Sequence, residues 1–177
     1  GTGSGAIAVS IALTCPKATV IASDFRKAAL DLAQENAKNN KVRVAFTRSN
    51  LLGRNVKKLI QRNRANHLFV IANLPYLPES DKKSMIEDVL WFEPWSALFA
   101  KKKGLDLNER LLRQLSEWHG KNPDRQLTVF IEFDPPQAAI LKERAAKLFP
   151  SAKIRVKRDS CDRDRYLEIT HRRAPSR

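Results

Sequence analysis

The chain opens Gly1-Thr2-Gly3-Ser4-Gly5-Ala6-Ile7-Ala8-Val9. After Cys15-Pro16-Lys17 it enters the apolar run Thr19-Val20-Ile21-Ala22, which stops at Ser23-Asp24. Alternate glycines suit a tight turn, and the apolar residues behind them suit a helix whose first N–H groups stay free for a ligand. The spacing G-x-G-x-G is not the G-x-x-x-x-G-K-[ST] of a phosphate-cradling ATPase loop. Asp24 follows the next strand about 20 residues after the glycines, where a carboxylate can accept hydrogen bonds from both hydroxyls of a ribose. The same residue can cap the helix expected from Phe25 to Asn40. Glycine turn, strand and acid together predict an α/β sheet that holds a nucleoside-containing cofactor.

Outward from this stretch, short β-branched runs alternate with helical spacing. Strands are expected at Val42–Phe46, Leu68–Ala72, Leu127–Ile131, Ile154–Lys157 and Tyr166–Thr170. Helices are expected at Asn55–Asn63, Ser80–Leu90, Asn108–Trp118 (closed by Gly120) and Pro135–Phe149. The pattern predicts an open, mostly parallel sheet with a C-terminal antiparallel hairpin across Asp159–Arg165 and a frayed tail from His171. Ligands of such sheets sit outside the carboxyl ends of the strands. Two further places qualify. Asn73-Leu74-Pro75-Tyr76 ends the clearest buried strand; Asn73 offers an acceptor and two donors, Pro75 fixes the turn and Tyr76 adds an aromatic wall. The group reads either as a cup for a planar –NH2 or as an ordinary strand-ending turn. Ser49-Asn50 follows the Val42–Phe46 strand, where Asn50 either meets an adenine amine or serves a turn.

The length of 177 residues supports one domain with a sizeable core. There are 33 Lys and Arg against 19 Asp and Glu, a net charge of +14. That excess favours acidic partners such as nucleic acid or a ribonucleoprotein particle, or else a solvated basic surface. No apolar run is long enough to span a membrane. Cys15 and Cys161 form neither a C-x-x-C pair nor a disulfide framework, which fits a reducing, cytoplasmic setting. His67, His119 and His171 lack metal-ligand spacing, and Trp91, Trp95 and Trp118 read as packing residues.

Gly1 to Gly5, Asp24 with Ala29-Leu30 and Ala33-Gln34-Glu35-Asn36, and Asn73-Leu74-Pro75-Tyr76 resemble a class I S-adenosyl-L-methionine-dependent methyltransferase, with its Rossmann-like sheet. Three more stretches resemble the release-factor glutamine N5-methyltransferases, the HemK/PrmC family. They are Phe92-Glu93-Pro94 with Ala97-Leu98-Phe99 and Gly104-Leu105, then Ile131-Glu132-Phe133 with Gln137, then Arg158-Asp159 with Arg163-Asp164-Arg165. The resemblance implies that Gly1, Thr2, Gly3 and Gly5 lie along the methionine and ribose of the cofactor. It implies that Asp24 holds the ribose hydroxyls and that Asn50 stands near adenine. Asn73, also beside the cofactor, accepts a hydrogen from the substrate amide; the carbonyl of Leu74 or Pro75 accepts the second, and Tyr76 walls the pocket. The sequence departs from the family at Leu74, where proline is usual, at Asn50, where an acid is usual, and at Phe133-Asp134, where Ile-Gly is usual. The family also carries a strand ahead of the glycine turn and a release-factor-docking helical domain before that. Residues 1–177 are therefore expected to form a catalytic domain truncated at its N-terminus, with the first strand missing.

The implied reaction is methyl transfer to the glutamine of the Gly-Gly-Gln loop of peptide chain release factors, alone or on the ribosome. A second expectation keeps the cofactor and takes an exocyclic amine of adenine or guanine in RNA or DNA, reached by base flipping and stacked on Tyr76. A third is a non-catalytic, basic RNA-binding remnant.

Overall fold

The computed structural model describes residues 1–63, 65–78, 99–100 and 104–172. It divides into two compact units, Gly1–Ala65 and Asn66–Arg177.

The first unit carries α1 (Ala6–Thr14), β1 (Ile21–Asp24), α2 (Lys27–Asn39), β2 (Ala45–Arg48) and α3 (Arg54–Arg62). β1 and β2 run parallel, from Ile21 opposite Ala45 to Asp24 opposite Arg48. α2 buries Ala29, Leu30, Ala33 and Ala37, a stripe at helical spacing built from mostly small side chains. Both strands start later than their apolar runs suggest. Lys41 adopts a left-handed turn (φ 55°) and the Val42 N–H closes back on the Ala37 carbonyl, so the chain leaves α2 before it can pair. β1 includes Asp24 as its last residue, and the expected cap at Asp24 is not formed: the residue before α2 is Arg26, which makes no side-chain cap bond.

The second unit carries β3 (His67–Ala72), β4 (Leu77–Pro78), β5 (Phe99–Ala100), α4 (Asp106–Gly120), β6 (Gln126–Glu132), α5 (Ala138–Leu148), β7 (Lys153–Arg158) and β8 (Asp164–His171). Four strands form one sheet in the order β3-β6-β8-β7, and β4 and β5 make a short parallel ladder of their own. β3 and β6 are parallel, whereas β8 is antiparallel to both β6 and β7, the expected hairpin. Leu127, Val129 and Ile131 of β6 and Leu167 and Ile169 of β8 are completely buried, with Leu112 and Leu115 of α4 and Leu141 of α5. Each large aliphatic side chain of this kind contributes about 1.5–3 kcal/mol. Trp118 lies in the same core, as expected.

Two details differ from the pattern read in the sequence. α4 includes Gly120 as its last residue, with Lys121 as the capping residue after it, and Gly120 is not among the glycines with positive φ, so it makes no left-handed stop. His171 belongs to β8, opposite Leu127, rather than to a tail. The Pro135 helix begins as a 3-10 turn, Pro135–Gln137, because the prolines supply no N–H to an α-helical ladder. The expected Ser80–Leu90 helix, Trp91, Trp95 and the Phe92-Glu93-Pro94 and Ala97-Leu98 stretches lie outside the described residues. Among the described residues no helix is long and apolar enough to cross a membrane.

Candidate active site

In the first unit the glycine turn folds against the end of β1. The N–H groups of Gly1 and Thr2 both donate to the Ser23 carbonyl, at 2.8 and 2.9 Å, and the Gly5 N–H closes the turn on the Thr2 carbonyl at 2.8 Å. Gly5 has φ +79°, and a Cβ there would stand 2.8 Å from the Cβ of Ala33, so only glycine lets α1 approach α2 this closely. The Asn36 side chain pins the turn from α2 by donating to the Ser4 carbonyl at 2.9 Å. Gly3 also has a positive φ (+55°), but no atom lies within 4 Å of where its Cβ would be, and the turn is open on that side.

Asp24 is only 5% exposed. Its Oδ2 accepts the Gly3 N–H at 3.0 Å and its Oδ1 the Arg26 N–H at 2.9 Å. Burial works against its charge, but these backbone N–H groups, with the positive charges beside them, outweigh it and hold the carboxyl below the usual range. The carboxylate is thus fixed and ionised, and two of its roughly four acceptor sites remain for a ligand. An open glycine turn beside an oriented carboxylate with spare acceptor capacity fits the ribose hydroxyls of a nucleoside cofactor. Asn50 is exposed, two residues past β2, and its neighbour Ser49 donates its N–H to the Asp24 carbonyl at 2.9 Å. The unit therefore gathers Gly1, Thr2, Gly3, Gly5, Asp24 and the Asn50 loop around the carboxyl ends of β1 and β2.

In the second unit Asn73-Leu74-Pro75-Tyr76 leaves the carboxyl end of β3. Asn73 is exposed, and its side chain has no hydrogen-bond partner among the described residues; Leu74 is buried and anchors the turn where proline is usual in the resembled family. Tyr76 is held at both ends. Its hydroxyl donates to Glu132 Oε1 at 3.1 Å, and its carbonyl accepts from Gln137 Nε2 at 2.7 Å. Burial and the Glu132 carboxylate raise the phenol above its ordinary range, so it stays protonated and acts as a donor and a wall, not as a base.

A supporting layer lies behind this turn. Gln137 Oε1 accepts the Asp134 N–H, in a reciprocal capping box with the Asp134 side chain. Asn108, completely buried on α4, donates to the Glu132 carbonyl at 3.2 Å. In the β7–β8 hairpin, Asp159 accepts the N–H groups of Cys161 and Arg163 and faces the guanidinium of Arg165, which also reaches the Phe133 carbonyl. The Arg163 N–H does most to depress the Asp159 carboxyl. Gly104, with φ +81°, leaves no room for a Cβ: it would overlap the Tyr76 carbonyl oxygen. Reading the sequence quoted Gly104, Glu132, Gln137, Asp159 and Arg165 only as pieces of a pattern, and it gave no role to Asn108 or Asn36. Among the described residues no group of three or more His, Cys, Asp or Glu side chains can hold a metal ion.

Residues 1–89 match the model of the methyltransferase small domain family. The chain belongs to this family. The chain is 29% identical over 172 residues to a release factor glutamine methyltransferase of Streptococcus pneumoniae, covering 96% of this chain and 56% of that protein. It is 32% identical over 170 residues to the release factor glutamine methyltransferase of Staphylococcus aureus, covering 96% of this chain and 58% of that protein. The chain thus spans little more than half the length of these relatives. A crystal structure of a methyltransferase from Pyrococcus furiosus superposes with a TM-score of 0.58 at 16% identity, covering 96% of this chain and 71% of that one, which shows the shared fold. The parallel β1–β2 and β3–β6 pairs and the β7–β8 hairpin are this methyltransferase architecture as the chain builds it.

Proposed function

We propose that residues 1–177 carry the catalytic domain of a cytoplasmic methyltransferase. It uses S-adenosyl-L-methionine and acts on the side-chain amide nitrogen of glutamine in the Gly-Gly-Gln loop of peptide chain release factors. The observation that carries this reading is the similarity, over 96% of the chain, to proteins named for that activity. The residues gathered within each unit support it chemically.

The cofactor, when bound, supplies an electrophilic methyl group on a sulfonium. In the first unit, Gly1, Thr2, Gly3 and Gly5 let backbone come close to its methionine and ribose. Asp24 accepts from the ribose hydroxyls, and Asn50 faces the adenine. In the second unit, Asn73 Oδ1 accepts one hydrogen of the substrate amide and the carbonyl of Leu74 or Pro75 accepts the other. An amide nitrogen is a weak nucleophile whose proton becomes acidic only as the new N–C bond forms, so no strong base is needed before attack. In-line placement is what the site must provide, and positioning can supply about 7–11 kcal/mol of the barrier. Fixed acceptors aimed at the charge developing on nitrogen add an electrostatic share. Tyr76, tied at both hydroxyl and carbonyl, gives that placement a rigid wall.

The test is transfer of labelled methyl from S-adenosyl-L-methionine by the full-length protein to a purified release factor. A release factor with Gln→Ala in its Gly-Gly-Gln loop, and bulk RNA, are offered in parallel. Label on the intact factor alone is the expected result. Label on RNA alone moves the activity to a nucleobase amine, and label on neither refutes the substrate.

A further inference from the structure

The positive charge of the chain is unevenly placed. Residues 1–65 hold twelve Lys and Arg against three Asp and Glu, a net +9 of the total +14. Four of these cations, Arg54, Lys57, Lys58 and Arg62, lie on α3, a helix of nine residues with no acid in it. Val56 and Ile60 are buried, which fixes the rotation of the helix. The stripe at i, i+3, i+4 and i+8 from Arg54 is thereby turned away from the core. Arg54, Lys58 and Arg62 are exposed, and Arg54, Lys57, Lys58 and Gln61 line one shallow concavity.

Several cations elsewhere in the molecule are neutralised locally. On the β7–β8 hairpin, Arg155 and Lys157 sit beside Glu168, Arg158 beside Asp162 and Asp164, and Arg163 beside Asp159. On α2 and α5, Lys27 pairs with Asp31 and Lys147 with Glu143. Among the described residues, none of the four α3 cations has a carboxylate within ion-pair distance. Like charges three and four residues apart also cost a helix a few tenths of a kcal/mol per pair, about 0.2–0.5. Among the described residues this repulsion has no compensating carboxylate, which leaves the stripe open to an external polyanion.

We propose that the outer face of α3 is a docking surface for the phosphodiester backbone of RNA. Arg54 and Arg62 are eight residues apart, about 12 Å along the axis at 1.5 Å per residue. That length is enough for the stripe to meet more than one phosphate of a strand. Among the described residues Gln61 is the one amide lining the concavity, so the surface reads charge and spacing and not base sequence. The choice of RNA over other polyanions rests on the release-factor reading, since such a substrate works on an RNA-built particle. The phosphate contact itself rests only on α3.

The test measures binding of a short fluorescent mixed-sequence RNA to the full-length protein, without cofactor or release factor, as salt is raised. The variant replaces Arg54, Lys57, Lys58 and Arg62 by Gln; a control replaces Lys121, Lys142, Lys147 and Lys153, equal charge from the exposed surface of the second unit. Each phosphate contact adds about 0.7–0.9 to the logarithmic salt slope, so four add about 3. Between 50 and 200 mM salt the unaltered protein is therefore expected to lose roughly 50- to 150-fold more affinity than the α3 variant. The control keeps the slope of the unaltered protein. A Lys57→Arg/Lys58→Arg variant keeps it too, which separates lost charge from lost folding. Equal slopes for the α3 variant and the unaltered protein overturn the proposal, as does an equal loss in the control. Tighter binding to poly-glutamate than to RNA overturns it in favour of an acidic protein surface. Methyl transfer to a purified, RNA-free release factor stays unchanged in the α3 variant, so failure of this surface and failure of the substrate reading remain distinguishable.

Discussion

Gly104→Ala is a one-carbon change whose effect follows from two features of the second unit. Gly104 has φ +81°, and a methyl group there would overlap the Tyr76 carbonyl oxygen that Gln137 holds at 2.7 Å. Left-handed backbone costs an L residue about 1–2 kcal/mol. Forcing an extra carbon into a packed site adds about 1–3 kcal/mol. The sum, about 2–5 kcal/mol, corresponds to a melting temperature lower by roughly 4–20 °C at 2–4 °C per kcal/mol for a chain of this size. The larger consequence is for the reaction. The carbonyl cannot yield without moving Tyr76 and the adjoining acceptors, and a misplacement of about 1 Å costs about 100-fold in rate. Methyl transfer to a release factor, assayed well below the melting temperature, is expected to show kcat/KM down by about 100-fold. With the cofactor held as proposed at the glycine turn and Asp24, its affinity is expected to change by no more than about threefold, less than the 1.4 kcal/mol that a factor of ten represents. A variant with wild-type kcat/KM would show that the Tyr76 turn does not position the substrate.

Four other outcomes follow from the same geometry. Gln137→Leu strands the half-buried Tyr76 carbonyl and Asp134 N–H, and it should lower kcat by about tenfold or more with a smaller change in KM, from about 1–3 kcal/mol per unsatisfied group; an effect on KM alone refutes the positioning role. Asn73→Ala should lower the transfer rate by about two orders of magnitude or more, by analogy with the loss of one preorganised donor or acceptor. Near-normal kcat in that variant sinks the cup. Asp24→Asn should weaken cofactor binding by about 10- to 150-fold, from about 1.5–3 kcal/mol for hydrogen bonds to a charged group; calorimetric titration measures it, and an unchanged Kd removes Asp24 from the cofactor site. Burial, reinforced by His171 with ring centroids 4.2 Å away, holds His119 below the ordinary imidazole range. Its folded form resists protonation, so that share of stability is complete above about pH 6.5 and is lost as the pH falls below it. His119→Gln should flatten the melting-temperature profile on the acid side, and identical profiles for both proteins would contradict this.

Much of the site was legible because its chemistry is local. A glycine turn, a strand-ending acid and an N-x-P-Y turn each announce themselves within a few residues, and the structure has Asp24 as the last residue of β1 and Asn73 directly after β3. The layer behind these residues was not legible. Gln137 lies 61 residues from Tyr76, and Asn108 24 residues from Glu132, so no periodicity in one segment can reveal those pairs. Strand limits were misread where a tight turn overrode β propensity: Lys41 and the Val42–Ala37 bond delay β2 to Ala45. For Asp24 the sequence leaves both a ribose acceptor and a helix cap open, because caps and ligand-holding acids favour the same residue types. Its carboxylate instead joins the glycine turn to the residue ahead of α2. Gly120 shows the reverse error, a glycine that reads as a helix stop but lies within the last turn of a well-packed helix.

The most direct measurement is mass spectrometry of a release factor after incubation with the full-length protein and S-adenosyl-L-methionine, with the Asn73→Ala protein alongside. The account predicts one added methyl group on the peptide that carries the Gly-Gly-Gln loop, located on the glutamine side chain and reduced by about 100-fold in rate with the variant. Methyl on another residue, no methyl at all, or equal modification by both proteins would contradict it.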